Sequence, residues 1–186
     1  MRTAPAPAGR TDMRTVHIHH LLRQLAEIRT RSDLTQRDLA RRIGVARNTL
    51  VRWEIGILTP TVLRLLSWFL HLGITVALVD QDGHIHHTRA TDTLDADAAA
   101  QAIYARIAAI LVAERRRLDI TQAQIAESAS VGKLRDWEHL RQRPSLESLF
   151  CWCRELGCKL VIVMPADHPA APKGQPPALA DLSLAA

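Results

Sequence analysis

One helical unit is written twice in this chain, and that repetition limits its possible folds more than any other feature. Leu34-Thr35-Gln36 recurs as Ile120-Thr121-Gln122 and Trp53-Glu54 as Trp137-Glu138, with only a two-residue deletion between the anchors. Downstream, Pro60 meets Pro144, Trp68 meets Trp152 and Leu72-Gly73 meets Leu156-Gly157. Upstream, LLRQLAEIRTRSD matches AAILVAERRRLD, with Leu25 opposite Leu111 and Arg29 opposite Arg115. An internal duplication is the simplest account, and each copy is about the smallest size that folds alone.

The first copy is legible residue by residue between Leu34 and Pro60. Thr35 to Asp38 forms a T-x-x-D capping box, so a helix starts at about Gln36. Leu39, Ala40 and Ile43 make one apolar stripe, and Gly44 permits the left-handed backbone that ends the helix. A second helix follows from about Ala46, with Leu50 and Trp53 inward, Arg47, Asn48 and Arg52 outward, and Gly56 and Pro60 closing it. Such a helix suits the major groove of DNA. Arg pairs with both guanine acceptors, and Asn with both adenine groups, in bidentate geometry.

The run T-Q-x-x-L-A, then G-V, then T-L-x-x-W-E-x-G and a Pro, resembles the lambda-repressor/Cro (XRE) family of helix-turn-helix proteins. The resemblance implies that Arg47, Asn48 and Arg52 read bases, while Gln36, Thr49 and Arg37 lie on the DNA backbone. Ala46 departs from the pattern, since many members carry Ser or Thr there, and it is not counted as a contact. The expected fold is mainly α: two tandem lambda-repressor-like helix-turn-helix domains, each followed by a short β strand or hairpin. Their expected limits are 14–80 and 97–165, with a hairpin arm and linker at 81–96 and disordered Pro- and Ala-rich tails at 1–13 and 166–186.

The second copy keeps the core and loses the reader. Thr121 to Gln124 retains a T-x-x-Q capping box, and Ile125, Leu134 and Trp137 retain the apolar positions. Opposite Arg47, Asn48 and Arg52, however, stand Val131, Gly132 and Asp136, which offer no bidentate donor and one carboxylate. The glycines of the turn and after W-E are replaced by Ser130 and Leu140. Gln122, Lys133 and Arg135 are the DNA contacts this copy can still supply. It is either a degenerate copy that positions the first or binds another partner, or a unit that touches only the DNA backbone.

Charge divides the same way. Residues 14–80 carry ten Arg or Lys and five acids, a balance of +5, against ten and eight, or +2, over residues 100–167. A net +5 overall and a pI near 9.7 favour an anionic partner, bound more weakly as salt rises. RNA modules present aromatic platforms, whereas Trp53, Trp68, Trp137 and Trp152 occupy repeated core positions, so double-stranded DNA is the preferred partner.

Each unit ends in an apolar, β-branched run after Leu-Gly, ITVALVD at 74–80 and CKLVIVM at 158–164. Gln81-Asp82-Gly83 is a turn signal that folds His84 to Thr88 back as a hairpin arm. A strand after the helices resembles the HipB type of antitoxin regulator, in which strands of two subunits pair. Here the two runs either pair within the chain, as an intrachain pseudo-dimer, or pair with a second chain in a homodimer; internal pairing predicts a monomer at micromolar concentration.

Two clusters invite a chemical reading. HIHH occurs at His17 to His20 and again at His84 to His87, and imidazoles suit zinc, nickel or copper. His19 and His20 face apart at a helix start, and neither Cys nor carboxylate stands at ligand spacing, so no metal or other cofactor is expected. Cys151, Cys153 and Cys158, an odd number, read as reduced and buried. No phosphate loop, nucleophile elbow or zinc-protease helix is present, and the chain is not expected to be an enzyme. Neither a signal peptide nor an apolar span of 18 residues is evident, which predicts a cytoplasmic, nucleoid-associated protein without membrane contact. The function expected is that of a sequence-specific transcriptional regulator, a repressor by resemblance. The alternative is an antitoxin or adaptor module with a toxin partner and weak or non-specific DNA binding.

Overall fold

A computed structural model describes residues 13–88, 95–128, 132–165, 168–169 and 179–181. Residues 1–12, 89–94, 129–131, 166–167, 170–178 and 182–186, which hold most of both expected tails, the linker and Ser130 and Val131, lie outside the described residues.

The first half runs α1 (Met13–Arg31), α2 (Gln36–Ile43), α3 (Arg47–Glu54), α4 (Val62–His71) and β1 (Thr75–Val79), then the short β2 (Ile85–His87). After the connection, the same order returns as α5 (Ala96–Arg117), α6 (Gln122–Ser128), α7 (Leu134–Glu138), α8 (Leu146–Glu155) and β3 (Lys159–Val163). The caps explain the boundaries. Thr35 accepts from the Asp38 amide at the head of α2, and Thr61 and Ser145 do the same for Arg64 and Ser148 at α4 and α8. Gly44 ends α2 in the left-handed region, φ 72°. Asp95 caps α5, its side chain accepting from the Asp97 amide.

The core is one continuous apolar body shared by both halves, with Leu22, Leu25, Leu39, Leu50, Trp68, Ile107, Leu111 and Trp152 sealed from water. Each sealed leucine contributes about 2 kcal/mol relative to an exposed one. Trp53 stacks on Trp68 at 6.1 Å between ring centroids, and Trp137 lies against Trp152 at 6.3 Å. All four tryptophans occupy the core positions read from the repeat.

The strands join the halves. The sheet has the order β2-β1-β3-β4, and β1 and β3 are antiparallel with Thr75 opposite Val163, Ala77 opposite Val161 and Val79 opposite Lys159. In the repeat alignment Ala77 and Val161 are counterparts, so a local two-fold axis passes between them. Other cross-contacts obey the same relation: α4 packs on α5, and α1, the counterpart of α5, packs on α8, the counterpart of α4. At the ends of the sheet the His168 imidazole meets the Leu72 carbonyl at 2.6 Å beside Gly73, while Gln81 lies against Gly157.

Three expectations need correction. Within the stretch expected to be a disordered C-terminal tail, β4 (Leu179–Asp181) pairs antiparallel with the outer edge of β3, covering hydrogen-bonding groups that would otherwise face water. Met13, assigned to the other tail, already belongs to α1, so His19 and His20 sit well inside that helix rather than at its start. Finally, α5 is long and apolar enough by length and composition to cross a membrane. Ala99, Ala100, Ile103, Tyr104, Ile107, Ala108 and Leu111 turn into the core, which accounts for its apolar face without a bilayer.

Candidate nucleic-acid interface

The lock that holds α3 against α1 and α2 is built on one buried carboxylate. Glu54 takes a two-toothed ion pair from Arg29, 2.6 Å to Nε and 3.2 Å to Nη2, and accepts from the Gln36 side-chain amide at 2.8 Å. Arg29 also donates to the Leu34 carbonyl at 2.7 Å, which fixes the chain between α1 and α2. Three helices therefore share one charge-neutral, hydrogen-bonded node. The second half repeats it: Arg115 to Glu138 at 2.7 and 3.1 Å, Gln122 to Glu138 at 2.6 Å and Arg115 to the Ile120 carbonyl at 2.9 Å.

The lock leaves the outer face of α3 to solvent. Arg47, Asn48 and Arg52 are exposed, Thr49 is half-buried, and Leu50 and Trp53 point inward. Ala46 is the N-cap and supplies no side-chain hydrogen bond, so the first-turn amides lack the partner that a Ser or Thr would provide. Uncapped amides at the positive end of a helix suit an anionic oxygen. Arg47 reaches back to the Gln36 side-chain oxygen Oε1 at 3.4 Å, and Arg29, Thr35, Gln36, Arg37 and Arg47 line an open cleft between the starts of α2 and α3. Gln36, assigned to the DNA backbone from resemblance, thus spends its amide on Glu54 and its carbonyl on Arg47.

Asp38 is the acid nearest this face on α2. The Thr35 hydroxyl donates to it at 2.6 Å and holds its carboxyl below the usual range, and Arg41 pairs with it at 2.9 Å. Its charge is thus turned along the helix toward Arg41. Sequence reading missed two supports. Arg64 donates to the Ile43 carbonyl at 2.5 Å and so closes the C-terminus of α2. The His19 ring lies under the backbone at Gly56, where a Cβ would come within 3.0 Å of it. Gly56 also has φ 75°, so two independent causes require glycine there.

The corresponding surface of the second half is smaller. The helix α7 has five residues against eight in α3, with Lys133 at its N-cap and Arg135 exposed. Lys133 is exposed as well, whereas Gln122 is half-buried and engaged with Glu138. Gly132 is exposed, Asp136 is half-buried with Arg141 4.0 Å away, and Val131 lies outside the described residues. After α7 the chain turns as it does at Gly56, but through Leu140 at φ 59°.

Residues 25–79 match the family model described as Helix-turn-helix, of the Cro/C1 type, so a helix-turn-helix domain occupies that segment from within α1 to the end of β1. Members of this family bind DNA sequence-specifically and regulate transcription. A search of curated proteins and a search of solved structures each returned no match.

Proposed function

We propose that this chain is a transcriptional regulator that reads double-stranded DNA with the outer face of α3, in the manner of a repressor. The observation that carries the reading is the division of labour on that helix: Glu54 and Trp53 anchor it, while Arg47, Asn48 and Arg52 are exposed to solvent. Arg47 and Asn48 at the start of the helix, and Arg52 a turn later, supply bidentate donors for guanine and adenine edges. Thr49, Arg37 and the uncapped amides of the first turn take phosphates, and Gln36 positions Arg47.

Residues 97–165 are proposed as a second, divergent helix-turn-helix unit, supported by the repeated Arg115–Glu138–Gln122 node and the repeated strand. Its short α7 and the acid at Asp136 make Gln122, Lys133 and Arg135 backbone contacts at most. Pairing of β1 with β3 favours an intrachain pseudo-dimer over a homodimer joined by these strands.

Selection from a random duplex library at fixed moderate salt tests the reading. One short asymmetric motif is expected, read by the first unit alone. Two half-sites about one helical turn apart would assign base reading to the second unit as well, or to a homodimer. A second reading, a protein-docking module of the antitoxin or adaptor kind, is favoured by the exposed Ile55, Ile57 and Leu58 beside α3. Absence of any enriched motif would move the function there.

A further inference from the structure

The second HIHH segment does not stand alone once the chain folds. Gly83, at φ 83°, reverses the strand after β1, and the Asp80 amide closes the turn on the His84 carbonyl at 3.1 Å. Asp80 is nearly buried, and its Oδ1 accepts the backbone amides of Asp82 and His84 at 3.0 and 2.9 Å. Its other oxygen is thereby aimed at the imidazoles: Oδ2 lies 3.2 Å from His84 Nδ1 and 3.0 Å from His86 Nε2. Ligand atoms of Asp80, Asp82 and His84 all fall within 4.8 Å of one another. The sequence expectation that no carboxylate stands near this histidine pair is therefore overturned, because the turn brings two.

We propose that this hairpin is a site for a divalent first-row transition ion, held by Asp80 Oδ2, an Asp82 oxygen and His84 Nδ1, with His86 steadying Asp80.

Three observations carry it. Ligands bound at about 2.1 Å around one tetrahedral ion lie about 3.4 Å from each other, and the 3.2 Å between Asp80 Oδ2 and His84 Nδ1 already approaches that spacing. The anchor is buried and pre-oriented by two amides, while Asp82 and His84 are exposed, which leaves an open path for the ion. The local charge also calls for a cation: Asp80, Asp82 and Glu114 surround Arg117, whose guanidinium lies 3.1 Å from Asp82 and 2.6 Å from Glu114. Three carboxylates thus gather around one guanidinium, a setting that favours a further cation. Two oxygens and one imidazole suit zinc or manganese better than calcium or copper. The first HIHH segment lacks this setting: His19 is packed against Gly56, and among the described residues the Asp80 group is the one cluster of three such ligands.

Calorimetric titration of the metal-free full chain with zinc chloride, and separately with manganese chloride, tests the site. One equivalent is expected. It should be lost in Asp80→Asn, which keeps an oxygen for the two backbone amides, and in His84→Ala, which removes a mostly exposed ring and keeps the backbone bond from His84 to Asp80. His86→Ala should weaken it by about 10- to 100-fold, as removal of a group that orients a ligand does. Circular dichroism of each variant checks the fold, and His84→Ala alone decides if Asp80→Asn does not fold. Unchanged binding in His84→Ala, loss in His20→Ala instead, or no heat with either ion overturns the site. None of these outcomes depends on DNA binding.

Discussion

Ala77 lies opposite Val161 in the sheet, so each residue is paired with the one that holds its own place in the other half of the chain. A strand that meets its own counterpart at the centre of an antiparallel pair is the arrangement of a two-fold dimer. Here one polypeptide supplies both sides. The chain is expected to sediment as a single copy of 20.7 kDa at micromolar concentration. A sharp mass of twice that value would place these strands, or another surface, between chains.

Arg47→Ala removes a bidentate donor from the start of α3 and its bond to the Gln36 side-chain oxygen, and leaves the bonds from Arg29 and Gln36 to Glu54 in place. The expected loss is about 1 to 3 kcal/mol on the selected sequence, with preference relaxed at one base position. Competition binding on specific and random duplexes checks it, and an equal loss on both would reduce Arg47 to a phosphate contact.

Glu54→Ala leaves Arg29 and the Gln36 amide without their shared acceptor in a largely dry site. Removing one partner of a buried pair costs about 3 to 5 kcal/mol, read as a lower midpoint in urea. Glu138→Ala is expected to cost the same, because Arg115 and Gln122 meet Glu138 in the same geometry. A small effect at either site would mean that the node is hydrated.

Leu140 adopts φ 59° where its counterpart Gly56 adopts φ 75°. A side chain held in the left-handed region costs about 1 kcal/mol or more, so Leu140→Gly should stabilise the chain by about 1 kcal/mol. The reverse change, Gly56→Leu, should destabilise by more, because its Cβ meets the His19 ring at 3.0 Å. Chemical denaturation of both variants checks the opposite signs.

Burial pushes the Cys158 thiol up to about 12, and burial raises Cys153 as well, with Cys158 adding to it. Both groups favour the neutral form in the folded chain. Their contribution to stability is therefore complete below the ordinary thiol value of 9.0 and falls as pH rises from there toward 12. At pH 8, all three buried cysteines are expected to resist an alkylating reagent until denaturant is added, and rapid labelling of the native chain would contradict this.

Much of the first unit was legible because its signals are local. The Thr35–Asp38 cap, the Leu39–Ile43 stripe and the outward Arg47 and Arg52 follow from helix geometry alone, and the structure places all of them as read. The strands were legible too, from β-branched residues after Leu-Gly. Their pairing was not, since an apolar edge is chemically the same whether its partner is near or on another chain. The Asp80 cluster escaped reading for a related reason: Asp80 and His86 meet only after Gly83 reverses the backbone. Nothing in the composition of the Pro- and Ala-rich C-terminal stretch marked Leu179–Asp181 as a strand, because its order depends on the open edge of β3. Leu140 gave no sign of its left-handed backbone, which the repeat alignment with Gly56 alone could have suggested.

The antiparallel meeting of β1 and β3 also changes how this molecule can vary. In a pair of identical chains every substitution at the axis is made twice, and a change that harms one side harms both. With the two strands encoded separately, Ala77 and Val161 already differ, and so do the outer faces of α3 and α7. One half is free to keep a sequence preference while the other drifts toward a different task, and their proximity survives any dilution.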